Sequence, residues 1–191
     1  MITAYPHQHG PVPKKYRNKL TMKEKLGNLN LIRVWIPSLL HTSVKNSAIL
    51  NFSFCISSLF PLFSIKSKPD VILAFEPNLF SIIPSYLYSK IRGGVVIRIV
   101  DDMWPELLYE QKILKSNILK KILTNLARFS YNYSKYIIPL NDEVKELIHK
   151  LYDIDNKKID VISHGIDETV FTFSKKEREK IFTLMYSGSL N

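Results

Sequence analysis

The clearest pattern in the chain lies between residues 66 and 163, where short apolar runs alternate with amphipathic stretches. "KPDVILAF", "VVIRIV", "KYIIPL" and "KKIDVIS" are rich in Val and Ile and bounded by turn residues, so they read as strands. Between them, "EPNLFSIIPSYLYSKIRGG" reads as a helix that stops at basic residues and the pair Gly93 and Gly94. "LKSNILKKILTNLARFSYNY" places Leu114, Ile118, Ile122, Leu126, Phe129 and Tyr133 on one helical face. "NDEVKELIHKLY" offers Asn141 or Asp142 as a cap, with acids in the first turn. Four strands alternating with three helices imply right-handed crossovers and a mainly parallel sheet. Strands this uniformly apolar call for helices on both faces. The predicted class is α/β, a Rossmann-like open sheet.

Upstream the pattern weakens. Residues 1–30 contain "YPHQHGPVPKKY", which reads as a loop, and "NLIRVWIP" reads as a short strand stopped by Pro37. Residues 46–65 carry no charge and hold thirteen apolar residues. That length admits a transmembrane helix, but the serines and Pro61 favour a helix buried against a sheet or dipping into a membrane face. No internal repeat or low-complexity segment interrupts the chain.

Composition narrows the class. With 191 residues and a hydrophobic fraction of 46%, the chain can bury a substantial core. The single cysteine, Cys55, forms no internal disulfide, which points to a reducing, cytosolic setting. Residues 1–25 are polar and basic and show no signal peptide. His7 and His9 have no third ligand at metal spacing, so the expected metal content is none. The net charge of +10 calls for an anionic partner or surface. Nucleic acid is disfavoured, since no zinc-finger, aromatic RNA-binding or helix-turn-helix signature is present. The basic residues do cluster: Lys112, Lys115, Lys120, Lys121, Arg128 and Lys135 lie between Glu110 and Asp142 with no acid among them.

Candidate chemistry follows from the topology. Ligands of open α/β sheets sit beyond the carboxyl ends of the strands. Asp101 and Asp102 follow "VVIRIV", Glu76 follows "VILAF", and Trp104 stands beside them. The plainer alternative is that Asp102 caps the following turn and Trp104 packs against the core.

At these residues the sequence resembles a known family. "IRIVDDMWPELL" resembles the R-D-L-W-P-E segment of family 4 glycosyltransferases, retaining enzymes of the GT-B fold. "YP" with "GPVPKKY", "KPDVILAFEP", "YSKYIIPLNDEVKELI" and "KKIDVISHGIDETVF" resemble further family segments in the family's order. "FTLMYSGSLN" resembles the first strand of the donor-binding domain. The family's usual opening, a strand, a glycine-rich loop and a helix, is not matched, and no G-x-G-x-x-G occurs. The resemblance implies an acceptor-side domain over 1–171, a linker over 172–181 and the start of a donor-binding domain over 182–191. It also implies a polypeptide inactive on its own, taking a sugar nucleotide as substrate and no tightly bound cofactor.

The resemblance assigns roles residue by residue. Asp101 and Asp102 become acceptor-orienting catalytic groups, with Asp101 the closer proton partner and the donor phosphate taking much of the base role. Glu76, Trp104 and Glu106 fall on the acceptor side, Glu106 being more simply a helix-start acid. His164, Gly165, Gly188 and Ser189 fall on the donor side. Asp101 stands where many members carry histidine or arginine, and His164 where asparagine is usual. Many relatives act on lipid-linked acceptors, so Lys112, Lys120, Lys121 and Arg128 become a candidate contact with an anionic membrane. The expected location is the cytoplasm, with peripheral attachment at the inner face of the membrane. The competing readings are a non-catalytic or split product completed by a partner, and a basic nucleic-acid-binding α/β module.

Overall fold

The computed structural model describes residues 1–6, 12–16, 18–39, 43–76, 78–172 and 184. Two three-stranded sheets organise them. The first is built from β1 (Ile2–Ala4), β2 (Thr21–Leu26) and β3 (Leu29–Val34), in the order β1-β3-β2. The pair β1 and β3 is parallel, whereas β2 and β3 form an antiparallel hairpin. Strands β1 and β2 thus flank the segment read as a loop, and β3 takes up most of "NLIRVWIP". Gly27 and Asn28 close the hairpin, with Gly27 at φ +56°, the positive region that a two-residue turn needs and glycine enters freely.

The second sheet carries the regular part of the chain. β4 (Val71–Phe75), β5 (Val95–Val100) and β6 (Tyr136–Pro139) run parallel in the order β4-β5-β6. α2 (Ile82–Arg92) connects the first two, and α3 (Glu106–Glu110) with α4 (Asn117–Tyr133) connects the second pair. α5 (Asp142–Tyr152) follows β6, its first turn capped by the Asn141 side chain accepting the Val144 N–H at 2.9 Å. The last predicted strand, "KKIDVIS", is reduced to a single parallel bridge between Ile137 and Ile159. It still runs beside β6, because Asp160 and Ile162 N–H groups donate to Ile137 and Pro139 carbonyls. Lys158 anchors this segment by donating to the final carbonyls of α4, Tyr131 and Asn132.

The open α/β architecture agrees with the sequence pattern, and the packing adds an asymmetry. Ala74, Val96, Val100 and Ile137 point to one face, where Ile82, Leu126, Ala127, Tyr131, Ile148 and Tyr152 pack on them. On the opposite face Val71, Leu73, Phe75, Val95 and Tyr136 remain exposed. Among the described residues, the helices therefore cover one side of this sheet.

α1 (Val44–Leu62) occupies the apolar stretch predicted over 46–65, starting at a Ser43 cap that accepts the Asn46 N–H. It packs against α2 and β3 and buries Leu50, Cys55 and Leu62. Among the described residues, no helix is long and apolar enough to cross a membrane.

Candidate acceptor site at the sheet edge

Parallel strands direct their carboxyl ends the same way, so the residues after β4 and β5 share one edge of the sheet. The structure puts Asp101 and Asp102 at that edge, directly after Val100. Asp102 is exposed and Asp101 partly so. His164 comes from the segment that follows the Ile159 bridge, and its Nε2 lies 3.9 Å from Asp101 Oδ1. That segment is held by the Ser163 hydroxyl donating to the Leu140 carbonyl at 2.8 Å. Asp101 Oδ1 is itself shielded from solvent and makes no hydrogen bond. The exposed part of the Asp101 carboxylate, with the open Asp102 beside it, leaves acceptor capacity for a hydroxyl at this edge. Gly165 is exposed, with nothing near its missing side chain. Gly188 and Ser189 lie outside the described residues, as do His7, His9 and most of 172–191.

Glu76 takes a different position from that expected of an acceptor contact. It is fully buried and paired with Arg98, whose Nε and Nη2 donate to Glu76 Oε1 at 3.1 and 2.8 Å. Arg98 Nη1 donates to the Ser81 hydroxyl at 2.7 Å, and that hydroxyl donates on to the Phe75 carbonyl at 3.1 Å. Burial pushes Glu76 up to about 7, against the opposing pull of the guanidinium, and the negative charge of Glu106 adds to the rise. Arg98 was hidden in the sequence by its neighbours. Its place in β5 has the same parity as the inward-facing Val96 and Val100, which was the available signal.

Glu106 starts α3, as a helix-start acid should. Its Oε1 accepts the Tyr152 hydroxyl from α5. Burial raises the Glu106 carboxyl, while the Tyr152 hydroxyl works in the opposite direction. The Tyr152 and Tyr131 hydroxyls are both raised, chiefly by burial. Between Glu76 and Glu106 in sequence space and in the packing lies the segment from Met103 to Pro105. Met103 sits in the main core, Pro105 is fully buried, and the Trp104–Pro105 peptide is cis. Trp104 is half-buried.

The basic residues divide. Lys120 lies over the Tyr109 ring at 5.6 Å and Arg128 over the Tyr152 ring at 5.8 Å, so both are engaged with aromatic faces. Lys112 and Lys121 are exposed. The face of α4 that meets the sheet is formed by Ala127, Ser130 and Tyr131, with Leu123 and Leu126 beside them. Ile118 and Ile122, on the apolar helical face read from sequence, are 74% and 56% exposed. An open depression of ≈ 620 Å³ lies at the other end of the sheet, around Ser89, Val95, Lys135 and Lys158, away from both aspartates. The functional reading rests on the aspartates and not on that depression, because parallel α/β sheets place ligands at the carboxyl edge.

Comparison with known proteins agrees with the topology. The model of Glycosyltransferase Family 4 matches residues 7–170, most of the chain. No curated protein matches the chain. With the match spanning strands, helices and the aspartate edge alike, the chain belongs to glycosyltransferase family 4.

Proposed function

We propose that the chain supplies the acceptor side of a retaining, sugar-nucleotide-dependent glycosyltransferase that acts on a glycan or lipid-linked acceptor. The observation that carries this reading is the pair Asp101 and Asp102 at the carboxyl edge of a parallel sheet in a family 4 chain. Glycosyl transfer proceeds through an oxocarbenium-like transition state, so the acceptor hydroxyl must arrive in line with the anomeric carbon. Asp102 is open to an incoming sugar, and the exposed part of the neighbouring Asp101 carboxylate accepts a hydrogen bond from the attacking hydroxyl. His164 and Gly165 border this edge on the side assigned to the donor. Catalysis by such groups is orientation of the nucleophile and support of positive charge, while the sugar nucleotide provides the leaving group.

The 191-residue polypeptide alone is expected to transfer no sugar, because it contributes the acceptor-orienting groups. The test is a screen of the purified chain with UDP-, GDP- and ADP-sugars, following nucleotide release. No turnover is expected; robust turnover contradicts this part of the reading.

A membrane-surface role has a specific observation in its favour. α4 exposes Ile118, Leu119, Ile122 and Phe129 alongside Lys121, with Lys115 exposed just before its first turn. A face that mixes apolar and cationic side chains suits the headgroup boundary of an anionic membrane. Lys120 and Arg128 contribute less, being held over aromatic rings.

A further inference from the structure

The site as described leaves one expensive feature without a role. Arg98 and Glu76 are fully buried in a strand environment otherwise made of Val, Ile and Ala. A buried ion pair is a poor stabiliser, since desolvation of two charges consumes most of their attraction, and apolar residues of similar size often serve stability as well. Its presence here needs another account, and its surroundings offer one.

Arg98 directs its donors to one segment, residues 76–81 between β4 and α2. It binds Glu76 at the end of β4, the Ser81 hydroxyl before α2, and the Asn78 carbonyl at 3.4 Å. Glu76 in turn donates its N–H to Ile99 of β5 at 2.9 Å. Its Oε2 is shielded from solvent and makes no hydrogen bond. Glu106, two residues further on, interacts with Glu76 electrostatically and is pinned by Tyr152. Charged and titratable groups therefore face Glu76 from β5 (Arg98), α3 (Glu106), α4 (Tyr131) and α5 (Tyr152). In sequence a buried carboxyl, Glu76, and a half-buried one, Glu106, stand on either side of the Met103–Pro105 segment, and one guanidinium holds the first of them.

We infer that Arg98 is a positioning residue of the acceptor site: clamped to Glu76, it fixes from beneath the loop that carries Asp101, Asp102 and Trp104. This assignment rests on the acceptor-side reading of the two aspartates. The clamp acts through geometry. Glu76 is locked by the fork of Arg98, its N–H is bonded to the Ile99 carbonyl near the end of β5, and the two aspartates and Trp104 follow on the short loop that begins there. Removing Arg98 leaves an uncompensated carboxyl beside Glu106, and the loop relaxes away from it.

The experiment uses Trp104 as its reporter. The chain has two tryptophans, Trp35 and Trp104, so Trp35→Phe leaves Trp104 alone. In that background we compare Arg98→Lys, Arg98→Met, and the apolar pair Arg98→Met with Glu76→Leu. Thermal melting by circular dichroism reads the fold; emission and acrylamide quenching read the loop. The apolar pair should melt cooperatively near the parent while its Trp104 emission shifts to the red and loses protection from acrylamide. Arg98→Lys, which keeps the charge but not the fork, should recover only part of that protection. A second readout is independent of packing. In the parent, Trp104 quenching should change with pH as Glu76 titrates, and this change should vanish in the apolar pair. Should Arg98→Met alone fail to fold, the apolar pair decides. Unchanged Trp104 quenching and an unchanged pH profile in the folded apolar pair overturn the proposal. The outcome is separable from sugar transfer, since Trp104 reports the loop whether or not any acceptor is turned over.

Discussion

Glu76 shows how a residue's neighbours decide its behaviour. It was legible in the sequence as an acid at a strand end, and strand ends of parallel sheets are where ligands bind. What the sequence concealed was Arg98, because one arginine in "VVIRIV" hardly alters the apolar count. Parity along β5 placed that guanidinium inside, and an inward arginine demands the nearest carboxylate. A pH dependence follows. The folded-state carboxyl of Glu76 sits at about 7, above the ordinary glutamate value of 4.5, so the folded form holds its proton more tightly. Its contribution is fully present below about 4.5 and is lost as pH rises through about 7. Urea unfolding should therefore show stability falling between about pH 4.5 and 7, by up to roughly 3 kcal/mol from this group. Glu76→Gln should flatten that slope; an unchanged slope would show that Glu76 is ionised throughout. Glu24 carries the opposite sign. Arg33, first, and then the Tyr16 hydroxyl and Lys15 hold it down to about 2, so its small contribution fades only in strong acid. For Tyr152→Phe, the loss of the hydroxyl that serves the half-buried Glu106 should cost about 1–2 kcal/mol in the same unfolding experiment.

Elements were legible where apolar periodicity and stop signals coincided, as for α2, β5 and α5. They were not legible where side-chain size mattered more than hydrophobicity. α4 turns Ala127 and Ser130 towards the sheet because small residues let the helix approach closely, which leaves the larger Ile118 and Ile122 outside. A face chosen by counting large apolar residues is rotated away from the true contact. Of the β2–β3 hairpin, β3 was legible in "NLIRVWIP", while β2 was missed for a different reason: it is mostly polar, and its one strong signal was the Gly27-Asn28 turn. Gly94 illustrates a stop that is also a contact. It follows α2 at φ +90°, and a Cβ there would stand 2.5 Å from the Pro69 carbonyl oxygen. Backbone cannot yield as a flexible side chain can, so Gly94→Ala should destabilise the domain by roughly 1–3 kcal/mol. Gly93→Ala should cost less, because its surroundings are open and only its φ of +86° penalises a side chain. Equal melting temperatures for the two variants would contradict the close-contact account.

At the scale of the whole molecule, the proposed function assigns two surfaces: the carboxyl edge with Asp101 and Asp102, and the outer face of α4. If α4 meets an anionic membrane, the chain should sediment with anionic vesicles at low salt and be released near 1 M salt, where the screening length falls to about 3 Å. Lys115→Gln with Lys121→Gln should weaken that binding, while equal binding to neutral and anionic vesicles would assign it to the apolar side chains. The carboxyl edge was legible as a place, because alternation fixes where parallel strands end. The cis Trp104–Pro105 peptide and the Tyr152–Glu106 contact were not, since both depend on elements distant in the sequence.

The most direct measurement pairs this chain with a donor-binding domain of a family 4 enzyme and follows sugar transfer for the parent, Asp101→Asn and Asp102→Asn. Orientation of a reacting hydroxyl is worth on the order of 10²-fold, so kcat/KM should fall by about that factor in at least Asp101→Asn, with the fold intact. Transfer that proceeds at the parental rate in both variants would contradict the assignment of this edge as the acceptor site.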